Sequence, residues 1–310
     1  MSAVEPEDHL AWEARQRKAA AIAAALAALF TFVGSVWRGL ILADLPRNGV
    51  LETLPRAELP GPIGALESLR VQTFEFYDEQ KIAVLASSVV VAVGYLALAW
   101  ALTYLAVATR ARRPGFPRAI VYLPLIAGGL QALSTVLSSL ATNAAISDFL
   151  AGDRSVDAAQ DIGTTGFAVF ATLLGLPGAL GLALCLVLIC LNAMKVGLLT
   201  RFMGVLGIIT GALQVLPFGG PLPVVQCFWL VMLGILFLGR WPNGTPPAWR
   251  TGDAQPWPSS AEIRAARQRA AAQRRGEVVE PLEPQPEPEP EPVGAVAGSG
   301  GARRKKRKRR

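Results

Sequence analysis

The sequence predicts an all-α polytopic bundle of six transmembrane helices followed by a disordered cytoplasmic C-terminal tail. Three observations predict it. More than half of the 310 residues are hydrophobic and only 17% are charged, a balance too apolar for an ordinary soluble domain. The apolar residues gather into six runs, and the loops between them alternate in the sign of their charge. A helix crosses a hydrocarbon core of roughly 30 Å with about 20 residues, which is the scale of these runs.

The runs are Ala19 to Leu42, Ile82 to Ala108, Ala119 to Ile146, Gly166 to Met194, Phe202 to Phe218 and Leu222 to Leu238. Asp8 is placed to cap the first helix ahead of the membrane, since neither Pro nor Gly interrupts the chain until Gly34. Pro46 to Pro62 is rich in Pro and Gly and reads as an irregular loop. From Ile63 apolar and charged residues mix at helical spacing, which predicts a short amphipathic helix leading into the second run. Pro177 should kink or loosen the fourth. Gly219, Gly220 and Pro221 make a tight hairpin between the short fifth and sixth. Gly204, Gly207 and Gly211 share one face of the fifth, and Gly175, Gly178 and Gly181 mark the fourth; such residues let helices approach closely. Arg118 to Leu133 aligns without gaps on Arg201 to Leu216, matching Arg118 with Arg201, Gly128 with Gly211 and Gln131 with Gln214. That spacing of 83 residues predicts that the second and third helices recur as the fourth and fifth.

Charge sets the orientation. Arg15, Arg17 and Lys18 precede the first run, Arg110, Arg112, Arg113 and Arg118 join the second to the third, Lys195 and Arg201 follow the fourth, and Arg240 closes the sixth. The loops of opposite phase are acidic: six acids against four bases in Pro46 to Lys81, and Asp148, Asp153, Asp157 and Asp161 against Arg154 alone. By the positive-inside rule both termini are cytoplasmic, in a bacterial inner membrane. Glu5, Glu7, Asp8 and Glu13 stand where a signal peptide would be basic, so the first run reads as a retained anchor. Cys185, Cys190 and Cys227 all lie inside runs and read as small buried apolar residues.

The domain organisation follows: a cytoplasmic segment over 1–18, the membrane domain over 19–240, a Pro/Trp segment at the inner membrane surface over 241–258, a basic helix over 259–276 opened by Ser259 and Glu262, and a disordered tail over 277–310. Within the tail, Glu280 to Pro292 alternates Pro with Glu or Gln and favours extended polyproline structure. The chain ends in Arg303, Arg304, Lys305, Lys306, Arg307, Lys308, Arg309 and Arg310. Eight consecutive cations bind polyanions with little specificity: anionic lipid headgroups of the same membrane, RNA or the ribosome, the chain's own Pro/Glu stretch, or a protein partner.

Polar residues inside the runs are the other candidates. Arg38 is the one charged side chain well inside a run, and an ionisable group there is either a functional site or an anchor reaching outward beside Trp37 to pair with Asp44, Glu75 or Asp78. In the third run Gln131, Thr135, Ser138 and Thr142 share a face, and Gln214 stands in the fifth. They line a polar path or act as hydrogen-bonding glue between helices. The acids and histidines of a proton relay are missing from every run, His9 being the only histidine, which disfavours a proton-driven carrier. No HExxH helix, Ser–His arrangement, phosphate-cradling loop or dinucleotide fingerprint occurs, so the sequence offers no catalytic residue, metal ligand or cofactor site.

At Leu199, Thr200, Arg201, Phe202, Met203 and Gly204, then Phe237 to Pro242 and Pro247, Ala248 and Trp249, the chain resembles uncharacterised bacterial six-span membrane proteins classed as domains of unknown function. The resemblance covers residues 19 to 258 and implies six helices, with no activity, ligand or catalytic residue. The functional expectation is a non-enzymatic membrane module that recruits or tethers partners through its basic tail. The alternative is a small transporter or channel for a polar or anionic solute.

Overall fold

The computed structural model describes residues 6–46, 63–215, 223–242 and 244–256 of a first compact unit, and Arg264, Arg267 and Gln268, all helical, of a second. The hairpin at Gly219 to Pro221, the stretch 277–310 and the octet Arg303 to Arg310 lie outside the described residues.

The described chain is helical, with no strand. Its helices are α1 (Pro6–Ala43), α2 (Val71–Glu79), α3 (Lys81–Arg112), α4 (Arg118–Ala151), α5 (Val156–Asp161), α6 (Gly166–Lys195), α7 (Arg201–Val215), α8 (Val224–Phe237) and α9 (Ala248–Thr251). Four stretches are long and apolar enough to cross a membrane: His9–Ala43, Lys81–Arg112, Arg118–Ala151 and Val156–Lys195, the last taking in α5 and α6. α7 and α8 are apolar but shorter. The expected cap at Asp8 is corrected, because α1 is already helical at Pro6. Proline suits a first helical position, where its missing N–H costs nothing. Pro177 sits within an unbroken α6.

α1 packs on α3 and α8, α3 on α4 and α6, α4 on α6, and α6 on α7, which meets α8. The centre holds Leu98, Leu102 and Leu105 of α3, Leu182, Leu186 and Ile189 of α6, and Trp229, Leu230 and Phe237 of α8. Large apolar side chains also cover the outside. Leu29 and Leu40 of α1, Leu96 and Trp100 of α3, Ile126 and Leu133 of α4, Leu173 and Leu180 of α6, and Phe202 of α7 are all exposed. An apolar surface on every long helix is what lipid requires and water penalises.

The repeat has a partial counterpart in the fold. α3 ends at Arg112 and α4 begins at Arg118; α6 ends at Lys195 and α7 begins at Arg201, so helix ends and loop length both recur at the 83-residue spacing. Phe116 and Leu199 are the buried loop residues at matching positions. Val121, Pro124, Ala127 and Gly128 are buried, as are Gly204, Gly207, Thr210 and Gly211 at the same places in α7. α3 and α6 differ: Val84, Ser87, Gly94 and Ala101 are buried, whereas Phe167, Phe170, Pro177 and Leu184 are exposed. α3 has α1, α4 and α6 around it, and α6 keeps a face turned outward.

At one end, α2 and α5 form a cap. Phe74 packs edge-on against Phe149, their ring centres 5.0 Å apart, over a small core with Val71, Ile146 and Ala159. Backbone bonds from Ser68 N to Arg154 O (2.8 Å) and Val156 N to Leu66 O (2.9 Å) tie the two segments together. Glu75 pairs with Arg154 at 3.1 Å.

Candidate functional site

The intramembrane residues picked out in the sequence occupy three separate interfaces. Arg38 of α1 donates to Ser88 Oγ of α3 at 3.2 Å and lies against the phenol of Tyr77 on α2. None of the three expected carboxylates pairs with it. Asp78 instead accepts from Lys81 Nζ at 3.1 Å and from Ser147 Oγ at 2.9 Å, and Glu75 is taken by Arg154. These donors hold the Asp78 carboxyl below its ordinary value, Lys81 contributing most. Burial raises the Tyr77 phenol above its usual range, with Arg38 opposing the shift.

Gln131 sits where α3, α4 and α6 meet, its amide against the Tyr95 phenol and its backbone against Gly178. Thr135 Oγ1 donates to the Gln131 carbonyl at 2.8 Å, and the Ser138 carbonyl accepts from Thr142 at 2.8 Å. These are bonds back along the same helix, which satisfy a hydroxyl without building a site. Ser134 differs in bridging to Ala171 O of α6 at 2.8 Å. Gln214 of α7 donates to Gln226 Oε1 of α8 at 3.0 Å. Gln131 and Gln214 therefore face different helices.

Some of this polar inventory is left without a partner. Gln131 Oε1, Ser139 Oγ and Asn143 Oδ1 of α4, together with Gln226 Nε2, are buried atoms with no hydrogen bond. Ser139 is only 3% exposed. The register of α3 against α4 is fixed by Asn143 Nδ2 on Lys81 O (3.2 Å) at one level and by Gly128 against Ala99 at another.

The most elaborate constellation lies at the other end, where sequence reasoning placed only loop charge. Glu13 of α1 and Arg112 of α3 form a buried ion pair, 4% and 7% exposed. Arg112 Nη1 meets Glu13 Oε1 at 2.5 Å and Nη2 meets Oε2 at 2.9 Å. The guanidinium also donates to Ala108 O at 2.9 Å and twice to Ala248 O, at 3.0 and 2.8 Å. These five bonds use the full donor set of an arginine fork. Trp249 stacks beneath it: its ring centre lies 5.5 Å from the Arg112 guanidinium and 5.6 Å from that of Arg17. Its indole N–H donates to Leu198 O at 2.9 Å. Tyr104 stacks on both Trp249 and Trp12 and donates to Glu13 O. Arg17 Nε bonds the Phe237 carbonyl at the end of α8.

The Pro/Trp segment expected at the membrane surface is thus turned inward at Trp249, which is 6% exposed, and Gln255 N closes onto Val196 O at 3.0 Å. The face of an indole attracts cations, and the guanidinium groups of Arg17 and Arg112 both lie near this ring. The signals that could have found this cluster are Glu13, an acid at the head of a long apolar helix, and Arg112 in the last turn of another.

A groove of about 440 Å³ runs between α1 and α8 and is lined by Ala21, Ala25, Ala28, Phe32, Val231 and Gly234 among others. Its walls suit an acyl chain and offer nothing to a polar solute. Among the described residues no three His, Cys, Asp or Glu side chains gather to hold a metal ion. No family model, curated protein or solved structure matches the chain, so its functional reading rests on its own residues.

Proposed function

We propose that the chain is a non-enzymatic module of a bacterial inner membrane, with α1, α3, α4, α6, α7 and α8 as six spans and both termini cytoplasmic, which presents its basic tail to polyanionic partners. The observation that carries this reading is the clasp of Glu13, Arg112, Arg17 and Trp249. It fixes the chain just ahead of the tail onto the end of the bundle where Arg110, Arg113, Arg118, Lys195 and Arg201 also lie. By the positive-inside rule that end is cytoplasmic, and the same rule puts the eight cations Arg303 to Arg310, further along the chain, on the side of the anionic leaflet. Each adds about 1 kcal/mol of attraction to such a surface at low salt. Several polar residues of the helices, Ser134, Asn143 and Gln214 among them, join one helix to another, which suits a scaffold.

The test is in-cell crosslinking followed by affinity purification of the intact chain and of a chain ending at Gly301, with proteins, RNA and lipids identified together. Loss of a specific partner on truncation supports a tether. Identical partners for both forms would sink the proposal and move attention to the bundle.

A further inference from the structure

Arg38 carries a positive charge that nothing in its described surroundings balances. Asp78 is held by Lys81 and Ser147, Glu75 by Arg154, and among the described residues neither Asp44 nor Glu79 forms an ion pair. The two groups that do meet the guanidinium, Ser88 Oγ and the Tyr77 phenol, are neutral. Ser88 spends its own proton on Val84 O at 2.9 Å, so it orients Arg38 without neutralising it. Two neutral acceptors leave most of the five-donor fork unengaged. None of its nitrogens is a buried atom lacking a partner, which leaves the free donors facing outward.

Depth identifies what they meet. Ser88 stands seven residues beyond Lys81 on α3, or about 10 Å along the helix axis. α3, with 32 residues, is about 48 Å long. Centred in a bilayer, the contact of Arg38 with Ser88 therefore lies about 14 Å from the midplane, at the edge of a roughly 30 Å hydrocarbon core. Trp37 and Leu40, close to that level, are exposed as lipid-facing residues are. An arginine at this depth reaches outward, and the acceptors found there are phosphates.

We infer that Arg38, oriented by Ser88 and Tyr77, is a binding site for a phosphate oxyanion at the end of the bundle that carries α2 and α5, and that its occupant is the phosphodiester headgroup of a membrane lipid. A planar fork with free parallel N–H groups matches a phosphate in a way that an ammonium does not. The inference rests on the bundle spanning a bilayer and is independent of what the basic tail binds.

The full-length protein is purified, stripped of lipid, and titrated with phosphatidylglycerol or with inorganic phosphate, and bound lipid is counted by native mass spectrometry alongside the thermal midpoint. Wild type should retain one phospholipid roughly ten-fold or more better than Arg38→Gln, the scale of losing a charged hydrogen-bonding pair. Arg38→Lys keeps the charge and loses the fork, so it serves if the glutamine variant fails to fold, and its retention should fall between the two. Stabilisation by millimolar inorganic phosphate in wild type alone, with no lipid preference, keeps the oxyanion site and assigns it a soluble ligand. Equal behaviour of wild type and both variants towards both probes overturns the inference. So does a Glu52→Gln or Glu58→Gln variant that reproduces the Arg38→Gln loss without adding to it, since the counter-charge would then come from the loop 47–62.

Discussion

Replacing Glu13 with Gln should be among the most damaging single changes in the bundle, although it alters one atom's chemistry and almost no volume. The five donors of Arg112 are all used, two of them on the Glu13 carboxylate. Glutamine offers one oxygen in place of two and turns an amide N–H₂ towards a guanidinium N–H. Both groups are buried, Arg112's side chain to within 1%, and Arg17 adds a second cation on the same tryptophan ring. The change therefore leaves two positive charges and one orphaned donor with no anion between them. Removing one partner of a buried pair costs about 3–5 kcal/mol. For a domain of this size that corresponds to roughly 6–20 °C in thermal midpoint. The assay is thermal unfolding of detergent-solubilised protein followed by tryptophan fluorescence, since Trp12 and Trp249 report on this cluster, with limited proteolysis to detect release of residues 241–256. Glu13→Gln with Arg112→Met should lose less than the sum of the single changes, because the double variant removes the stranded charge. A single-variant loss below about 1 kcal/mol, or strict additivity, would show that the pair is water-accessible and refute the reasoning.

Adjacent glycines in α4 give a matched comparison. A Cβ at Gly128 would stand 2.6 Å from that of Ala99 and 3.1 Å from Tyr95 O, whereas at Gly129 it meets nothing within 4 Å. Gly128→Val should cost about 1–3 kcal/mol in thermal unfolding and Gly129→Val should be close to neutral; similar losses in both would show that α3 does not press on α4 there. Ser139→Ala removes a buried hydroxyl with no partner and should raise stability by about 1 kcal/mol in the same assay, while a clear loss would reveal a bound water or another acceptor. Asp78, whose folded pKa is depressed below the ordinary 3.8, stabilises the cap above that value, and the contribution disappears as pH falls through the lower folded value. Hydrogen exchange in α2 should therefore be faster in Asp78→Asn than in wild type at neutral pH, with the ratio approaching one in strong acid; the pair is partly exposed, so the effect stays within about 1 kcal/mol. A ratio that does not change with pH would rule out the carboxylate as its source.

The helices were legible because the information that specifies them is local. The long apolar runs and their basic ends gave α3, α4 and α6 to within a few residues, and the mixed pattern after Ile63 anticipated α2. The return of Arg118 and Gly128 as Arg201 and Gly211 carried over into equal loops and matching burial in α4 and α7. Partner choice was not legible, because it depends on which helix ends arrive side by side. Arg38 had three carboxylates within plausible reach, and each went elsewhere or stayed apart, Asp78 because Lys81 sits one turn away on the same backbone. Trp249 read as a surface aromatic because a Pro-rich neighbourhood reveals nothing of the two arginines, from α1 and α3, that enclose it.

The clasp also has a consequence in time. Glu13 and Arg112 are 99 residues apart in the chain, and Arg17 and the Phe237 carbonyl are 220 apart. At the usual 5–20 residues per second of synthesis, the ribosome makes the partner of Glu13 roughly 5–20 s after the acid itself, and that of Arg17 only after about 10–45 s. A nascent chain thus passes through a stage in which its acid is already matched while Arg17 still waits for α8. Closure of this end is by construction among the final events of biogenesis, and a chain stalled or cut before α8 displays an unclaimed arginine that distinguishes unfinished from finished protein.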